Sequence, residues 1–400
     1  MARIACLAVL LVAVLAPAAQ AAGRATTIKA LDRLMNKAGS GSGAYVVDLD
    51  SDTPLYARAA DVPRIPASVN KLYTTSAALV RYGAEGQLST EVLADSDPDE
   101  QGVVTGNVYL RGGGDPEFNR AELSGLANVL AESGLKRVTG RIVGDESRFD
   151  KLRGGPDSNY RTSFWVGPLS GLSFNHGLFL DSKTRFQRNP PYYAAKAFRR
   201  ELKRAGVKVK GPARAGVAPA GAATLGDWAS ERMSVLIRHT NRPSDNYMAE
   251  TLLKDLGADF GGAGTTAAGT AVARRNAADY GAHPTMVDGS GLSRQNRTTP
   301  HDVVRLLAGL DGTDFADPMR ISLAVAGKSG TLSDRMRKSP ARGRCRAKTG
   351  TINGVSNLAG YCASRSGARV AFAFLTSGVS VYTAHPLQDR MAGVLARYRP

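Results

Sequence analysis

The stretch Pro66-Ala67-Ser68-Val69-Asn70-Lys71 begins a helical pattern that continues to Tyr82 and is closed by Gly83. Ser68 and Lys71 are three residues apart, so a helix places both side chains on one face. A serine needs a base to become a nucleophile, and a lysine serves as that base once desolvation or a second cation removes its proton. Backbone N–H groups at a helix start also stabilise developing negative charge. The stretch therefore predicts an activated serine.

The Ser-x-x-Lys pattern is weak evidence by itself, because about one match is expected by chance in a chain of this length. A second match, Ser133-Gly134-Leu135-Lys136, lies past a predicted helix, where Gly134 breaks the turn and the two side chains need not share a face. Taken alone, Ser68 is better explained as a helix N-cap. The chemical interpretation depends on what else the chain contains.

Two further motifs support the chemical interpretation. Ser244-Asp245-Asn246 follows Pro243 and opens a predicted helix, and Lys348-Thr349-Gly350-Thr351 lies on a predicted strand near the C-terminus. The chain order Ser-x-x-Lys, Ser-x-Asn, Lys-Thr-Gly is the signature of penicillin-recognising serine enzymes. Weaker competing matches are Ser173-Phe174-Asn175 and Lys328-Ser329-Gly330. A Gly-x-Ser-x-Gly elbow occurs nowhere in the sequence, so an α/β-hydrolase triad has no support.

The pattern along the chain predicts a discontinuous arrangement. Residues 89–225 are rich in β-branched segments and glycine turns, which favours a separate α+β domain. Residues 44–58 predict a hairpin, and 343–376 predict three strands that a final helix follows. We therefore expect a catalytic domain made of 22–88 and 226–400, with 89–225 inserted into it.

Composition and the first residues predict an exported protein. The 400 residues are 43% hydrophobic and 22% charged, which excludes a disordered chain, a collagen and a polytopic membrane protein. An apolar run over 4–16 and the small-x-small sequence Ala19-Gln20-Ala21 predict a signal peptide at 1–21. No later apolar run approaches the ~18 residues of a membrane span, so we expect no integral span in the mature chain. We expect a periplasmic or extracellular, cell-wall-associated protein.

The net charge of +17 attracts anions, among them nucleic acid, anionic lipid or an acidic wall polymer. The export signal counts against nucleic acid, and we predict no nucleic-acid partner. The five histidines are scattered and neither HExxH nor CxxC occurs, so we predict no metal site and no cofactor.

Cys345 and Cys362 remain after the signal peptide is removed. If a short loop near 352–355 joins two antiparallel strands, the two cysteines face each other, because antiparallel pairing keeps the sum of paired residue numbers constant. A disulfide beside the Lys-Thr-Gly strand and two separate reduced thiols both remain open.

Residues ~26–400 resemble the class C low-molecular-mass penicillin-binding proteins, the D-Ala-D-Ala carboxypeptidase/endopeptidase family of serine peptidases. The resemblance implies an α/β (α+β) transpeptidase/β-lactamase-like domain, with an antiparallel sheet flanked by helices and an inserted α+β domain. Some family members nest a third domain inside the insert, but Asp181–Pro190 is too short to contain one. Besides the three motifs, the resemblance rests on these segments: Val46-Val47-Asp48-Leu49-Asp50, Gly112-Gly113-Gly114-Asp115-Pro116, Asp288-Gly289-Ser290-Gly291-Leu292-Ser293 and Gly330-Thr331-Leu332.

The resemblance also implies a mechanism on peptidoglycan stem peptides. Ser68 would attack the carbonyl of the penultimate D-Ala, and Lys71 would take the serine proton. Ser244 would pass a proton to the leaving amine, Asn246 would bind the substrate amide, and Lys348 would supply positive potential. The N–H groups of Ser68 and Thr351 would form the oxyanion hole, and the hydroxyls of Thr349 and Thr351 would bind the terminal carboxylate. The resemblance also places Gly350 and Asp245 among the substrate-binding residues. β-Lactam antibiotics would acylate the same serine.

Two other functions remain open at this stage. A β-lactamase would share the acylation step, but no Glu in the chain has Asn four residues on, the class A arrangement for deacylation. A non-catalytic cell-wall binding protein is disfavoured because every motif residue is intact. Seven basic residues between Arg335 and Lys348 form either a solvated loop or a positive rim that steers carboxylate-rich substrates.

Overall fold

The computed structural model describes residues 10–400. The helices in this range are α1 Leu10–Lys37, α2 Lys71–Tyr82, α3 Arg120–Glu132, α4 Pro190–Arg204, α5 Met233–Asn241, α6 Asn246–Phe260, α7 Thr266–Asp279, α8 Pro300–Asp311, α9 Ala316–Ser322 and α10 Val381–Leu395. The strands are β1 Gly43–Asp48, β2 Thr53–Arg58, β3 Ser89–Ala94, β4 Val103–Val104, β5 Val108–Arg111, β6 Arg137–Val138, β7 Ile142–Asp145, β8 Lys208–Val209, β9 Arg214–Ala215, β10 Ala223–Ala229, β11 Ala324–Val325, β12 Cys345–Ile352, β13 Val355–Ala363 and β14 Arg369–Ser377.

The largest sheet within 10–400 has six strands in the order β11-β12-β13-β14-β1-β2, and every neighbouring pair is antiparallel. Side chains alternate between its two faces. Ala371 and Ala373 of β14 pack on one face with α2 and α5–α8, whereas Phe372 and Phe374 pack on the other face with α1 and α10. The predicted antiparallel sheet flanked by helices is confirmed.

Residues 89–229 form two further sheets and the helices α3 and α4. A five-stranded sheet has the order β10-β3-β5-β7-β9, and a three-stranded sheet has the order β4-β6-β8. Helices α3 and α4 cover the sheets around Phe118, Phe198 and Leu202. The predicted limit between 88 and 89 falls just before β3, and the limit between 225 and 226 falls inside β10. The division of the chain into domains stays a prediction.

The register of β12 and β13 places Cys345 opposite Cys362. The two cysteines form a disulfide between the strands. The predicted cross-strand pairing is confirmed, and the two-thiol interpretation is wrong for this structure.

Only part of the predicted signal peptide, 1–21, lies within the described residues. Residues 1–9 lie outside the described residues, and 10–21 belong to the beginning of α1. None of the described helices combines the length and the apolar character that a membrane crossing requires.

Candidate active site

Ser68 lies in a single 3-10 turn, Ala67–Asn70, that leads directly into α2. The Nζ atom of Lys71 donates a hydrogen bond to Oγ of Ser68 at 3.0 Å. The predicted common face for these two side chains is therefore present in the structure. Ser68 remains partly exposed, whereas Lys71 has no exposed surface. A partly exposed hydroxyl beside a buried amine is the arrangement that a lysine-activated nucleophile requires.

Lys71 is held by two groups besides Ser68. Its Nζ donates to Oδ1 of Asn246 at 2.6 Å and to the carbonyl oxygen of Ser290 at 2.7 Å. Burial lowers the pKa of Lys71 to about 8, and the carboxylates of Glu250 and Asp288 oppose that shift. Because its usual pKa is 10.5, this lysine loses its proton far more readily than an exposed one.

Lys348 is the second buried lysine of the site. Its Nζ donates to the carbonyl oxygen of Thr349 at 2.9 Å. Burial, with repulsion from the Lys71 charge as a second cause, lowers the pKa of Lys348 well below its usual range. The sequence expectation that two converging lysines disfavour each other's charge agrees with this arrangement.

The Ser244-Asp245-Asn246 segment forms the connection between α5 and α6. Ser244 has a positive φ of 69°, a strained conformation of the kind that is common in active sites. The carboxylate of Asp245 accepts a hydrogen bond from the Met248 N–H at 2.9 Å and so caps α6. Asn246 accepts from Lys71, and its Nδ2 donates to the carbonyl oxygen of Trp165 at 3.1 Å. Asp245 thus has a structural role, and its predicted contact with substrate stays a prediction.

Strand β12 brings the Lys-Thr-Gly motif against the serine turn. A Cβ on Gly350 would lie 2.7 Å from the Pro66 carbonyl oxygen and 3.2 Å from the Ser68 nitrogen, so a side chain at this position would push the strand away. Thr349 precedes Gly350, and its Oγ1 donates to Oγ1 of Thr331 at 2.8 Å. Thr351 follows on the same strand and is exposed.

The competing motif matches serve other roles. The hydroxyl of Ser133 donates to the carbonyl oxygen of Val129 at the end of α3. The hydroxyl of Ser173 accepts a hydrogen bond from the Tyr247 hydroxyl. Neither serine is bonded to a lysine within the described residues.

Sequence reasoning missed Asn357, a buried residue of β13. Its Nδ2 donates to the carbonyl oxygens of Ile65 and Pro66 at 3.0 and 2.8 Å, and its Oδ1 accepts from the Thr376 N–H. These bonds attach the segment before Ser68 to the sheet. The signal in the sequence is a single asparagine in a largely apolar strand, which is too common to single out.

Sequence reasoning also missed the role of Glu250. Its carboxylate accepts hydrogen bonds from the N–H groups of Gly289 and Ser290, at 3.1 and 2.7 Å. Burial and the neighbouring Asp288 raise the pKa of Glu250. This glutamate holds the loop whose Ser290 carbonyl binds Lys71.

Asp288 stabilises the same loop from within. Its carboxylate accepts from the N–H groups of Gly291 and Ser293, at 2.8 and 2.6 Å, and its own carbonyl oxygen accepts from Asn70. The Asp288–Ser293 segment is therefore a turn that also contributes to the site, because Ser290 contacts Lys71 directly.

An aromatic pair lies beside Asn246, and whether the basic residues of 335–348 form a solvated loop or a positive rim stays a prediction. Phe164 and Trp165, which are 69% and 64% exposed, form an aromatic pair next to Asn246. Of the seven basic residues in the predicted rim, Arg335 is bonded to Asp389 at 2.6 Å and Lys348 is buried in the site itself. Within the described residues, no group of three or more His, Cys, Asp or Glu side chains could hold a metal ion.

Comparison with known proteins gives one consistent result. The model of the D-Ala-D-Ala carboxypeptidase 3 (S13) family matches residues 28–188 and 180–398. The chain is 31% identical to a D-alanyl-D-alanine carboxypeptidase of Actinomadura sp. (strain R39), over 90% of this chain and 82% of that relative. It is 29% identical to the carboxypeptidase DacB of Mycolicibacterium smegmatis, over 88% of this chain and 79% of that relative.

The fold is similar to that of a solved structure, penicillin binding protein 4 (dacB) from Haemophilus influenzae. The TM-score is 0.79 at 21% sequence identity, and the match covers 92% of this chain and 99% of the other. A second structure of the same protein, in complex with a β-lactam, matches with a TM-score of 0.76 at 20% identity and the same coverage.

Proposed function

The chain belongs to the D-Ala-D-Ala carboxypeptidase 3 (S13) family, and on that premise we propose that Ser68 is the nucleophile of its acyl-enzyme. The protein is a penicillin-binding serine peptidase of the D-Ala-D-Ala carboxypeptidase type. One observation carries the assignment of the serine. Among the serines matched by the three motifs, Ser68 alone accepts a hydrogen bond from a buried lysine within the described residues.

The first step is acylation. The neutral amine of Lys71 takes the proton of Ser68, and Oγ attacks the carbonyl carbon of the penultimate D-Ala. The N–H groups of Ser68 and Thr351 bind the developing oxyanion, a role that the close approach of β12 to the serine turn supports. The C–N bond then breaks, the terminal D-Ala leaves with a proton passed through Ser244, and water later hydrolyses the ester.

The remaining motif residues bind the substrate. Lys348 supplies positive potential for the terminal carboxylate, and the hydroxyls of Thr349 and Thr351 bind it. Asn246 is shared between Lys71 and the substrate amide, so it links the base to the position of the peptide. The exposed Phe164 and Trp165 lie beside Asn246, where the acyl side of a stem peptide would pass.

The same proposal includes the substrate, the export signal and the extent of the catalytic domain. The substrate is peptidoglycan, and β-lactams react as substrate analogues that acylate Ser68. Residues 1–21 are an export signal, a role supported by their apolar run and small-x-small sequence. Residues 22–88 and 226–400 form one discontinuous catalytic domain, because every proposed catalytic residue comes from these two ranges.

The test is intact-mass analysis after a short exposure to benzylpenicillin. Wild type should carry one persistent adduct, and Ser68→Ala should carry none. Ser133→Ala is the matched control, because Ser133 belongs to the other Ser-x-x-Lys match and should leave the adduct unchanged. Rapid loss of the antibiotic without an adduct would indicate a β-lactamase, and neither adduct nor turnover would overturn the acyl-enzyme proposal.

A further inference from the structure

Strands β6 and β8 carry an unusual pair of like charges. They are parallel, and their register pairs Arg137 with Lys208 and Val138 with Val209. The two valines are buried under the sheet, so Arg137 and Lys208 share the opposite, exposed face. Like charges at paired positions of neighbouring strands repel each other. The fold therefore tolerates a repulsion here that an uncharged pair would avoid.

The like-charge pair belongs to a cleft of about 460 Å³. Four of its seven lining residues are cations and none is acidic. We call this site the basic cleft, and it is lined by Arg137, Lys203, Gly206, Val207, Lys208, Val209 and Lys210.

The cations of the basic cleft are not neutralised by the protein. Within residues 10–400, none of these four side chains takes part in an ion pair or a side-chain hydrogen bond. By contrast Arg204, one residue beyond Lys203, is paired with Glu201. The acidic Asp99 precedes β4, at the far edge of the same small sheet, and its carboxylate accepts the N–H groups of Gln101 and Val103.

Helix α4 extends the positive surface away from the basic cleft. Lys196, Arg200 and Lys203 are exposed and are spaced four and three residues apart, so they form one stripe on the helix. The stripe covers about 10 Å of helix length at 1.5 Å per residue. Lys203 belongs to both the basic cleft and the stripe, so the two form one continuous positive surface. An elongated surface of this kind is suited to an extended chain.

We propose that the basic cleft and the α4 stripe bind a linear polyanion, a chain that carries phosphate or carboxylate groups. A guanidinium with ammonium groups around it is suited to such oxyanions. A polymer fits better than a membrane surface, because peripheral membrane binding usually adds apolar side chains to the cations. The large exposed apolar side chains of the described residues, such as Phe164, Trp165 and Tyr382, lie outside 136–141 and 196–214. Binding there would hold the enzyme on an anionic polymer without occupying the Ser68 site.

The test measures binding of inorganic polyphosphate and of poly-glutamate over a series of salt concentrations. The test variant is R137Q/K203Q/K208Q/K210Q. The control K29Q/R33Q/K37Q/R274Q removes the same charge from exposed positions on α1 and α7. Wild type should bind at least one polymer, and the test variant should bind at least ~10-fold more weakly, with a salt slope reduced by about three. The control should change affinity less than ~3-fold.

Two further measurements separate the proposal from trivial effects. Acylation by benzylpenicillin should be equal in all variants, which verifies folding and is independent of the polymer result. The charge-conserving variant R137K/K203R/K208R/K210R should keep polymer binding. Equal losses in the test and control variants, no binding of either polymer at ~50 mM salt, or preference for phosphatidylglycerol vesicles over both polymers would each overturn the proposal.

Discussion

The carboxylate of Glu250 accepts a hydrogen bond from the backbone N–H of Ser290 at 2.7 Å, and the carbonyl oxygen of the same Ser290 accepts one from Nζ of Lys71, also at 2.7 Å. A carboxylate on α6 therefore positions the base of the active site through a single residue of a loop. The same carboxylate opposes the pKa decrease that burial imposes on Lys71. Glu250 thus influences both the position and the pKa of Lys71, and the two effects can be tested separately.

The first prediction concerns the pH dependence of acylation. If neutral Lys71 is the proton acceptor, the second-order rate constant for benzylpenicillin should rise with pH and level off above a pH of about 8. Because the protonated amine cannot accept, the rate at pH 6 should be about 100-fold below the plateau. The measurement is stopped-flow acylation between pH 5 and pH 10. Lys71→Arg, which stays protonated, should lower the plateau ~10²–10⁴-fold. A rate independent of pH over this range would rule out Lys71 as the base.

The second prediction concerns Glu250→Gln. Removal of a carboxylate that raises the pKa of Lys71 should lower that pKa, so the acidic limb of the acylation profile should move to lower pH. The plateau should also fall, because the neutral amide oxygen accepts the Gly289 and Ser290 N–H groups more weakly than the carboxylate does. Glu132→Gln changes the same charge at an exposed site and should leave the profile in place. A lower plateau with an unmoved limb would mean that Glu250 acts only by holding the loop.

The third prediction concerns Gly350→Ala. The added methyl group would lie 2.7 Å from the Pro66 carbonyl oxygen, so β12 should shift away from the Ser68 turn. A displacement of about 1 Å at reacting groups lowers rates ~10²-fold, and acylation should fall by that order. Gly226→Ala is the control, because Gly226 lies on β10 of the other sheet and its added Cβ would meet only Leu130 of α3, at 3.6 Å. Comparable rates for the two variants in burst experiments with a chromogenic β-lactam would contradict the assigned strand contact.

The fourth prediction concerns the disulfide. The Cys345–Cys362 bond closes a loop with a sequence separation of 17 between the strand that carries Lys348 and its neighbour. Its loss in C345S/C362S should lower the free energy of unfolding by about 2–4 kcal/mol. Thermal melts with and without reductant provide the measurement, and wild type under reductant should approach the double variant. Two alkylatable thiols in the unreduced native protein would show that the bond is absent in solution.

Several features of the site were predictable because they are local. The Ser68–Lys71 contact follows from a three-residue spacing on a helix, and the opposed cysteines follow from antiparallel register across a short turn. Boundaries were less accurate. The predicted limit between 225 and 226 falls inside β10, Ala223–Ala229, because this strand pairs with β3 along both sides of that limit.

The sequence by itself determined the nucleophile candidate, the order of the motifs and the alternation that makes the central sheet. Only the tertiary structure decided which groups surround Lys71. Glu250 and Asp288 are 179 and 217 positions away from Lys71 along the chain, and no local spacing relates them to it. The strength of a buried charge interaction depends on distance and solvent access, and both are set by how separate elements pack. The tertiary structure therefore sets the contacts and the pKa of Lys71, whereas the sequence alone identifies this lysine as the candidate base.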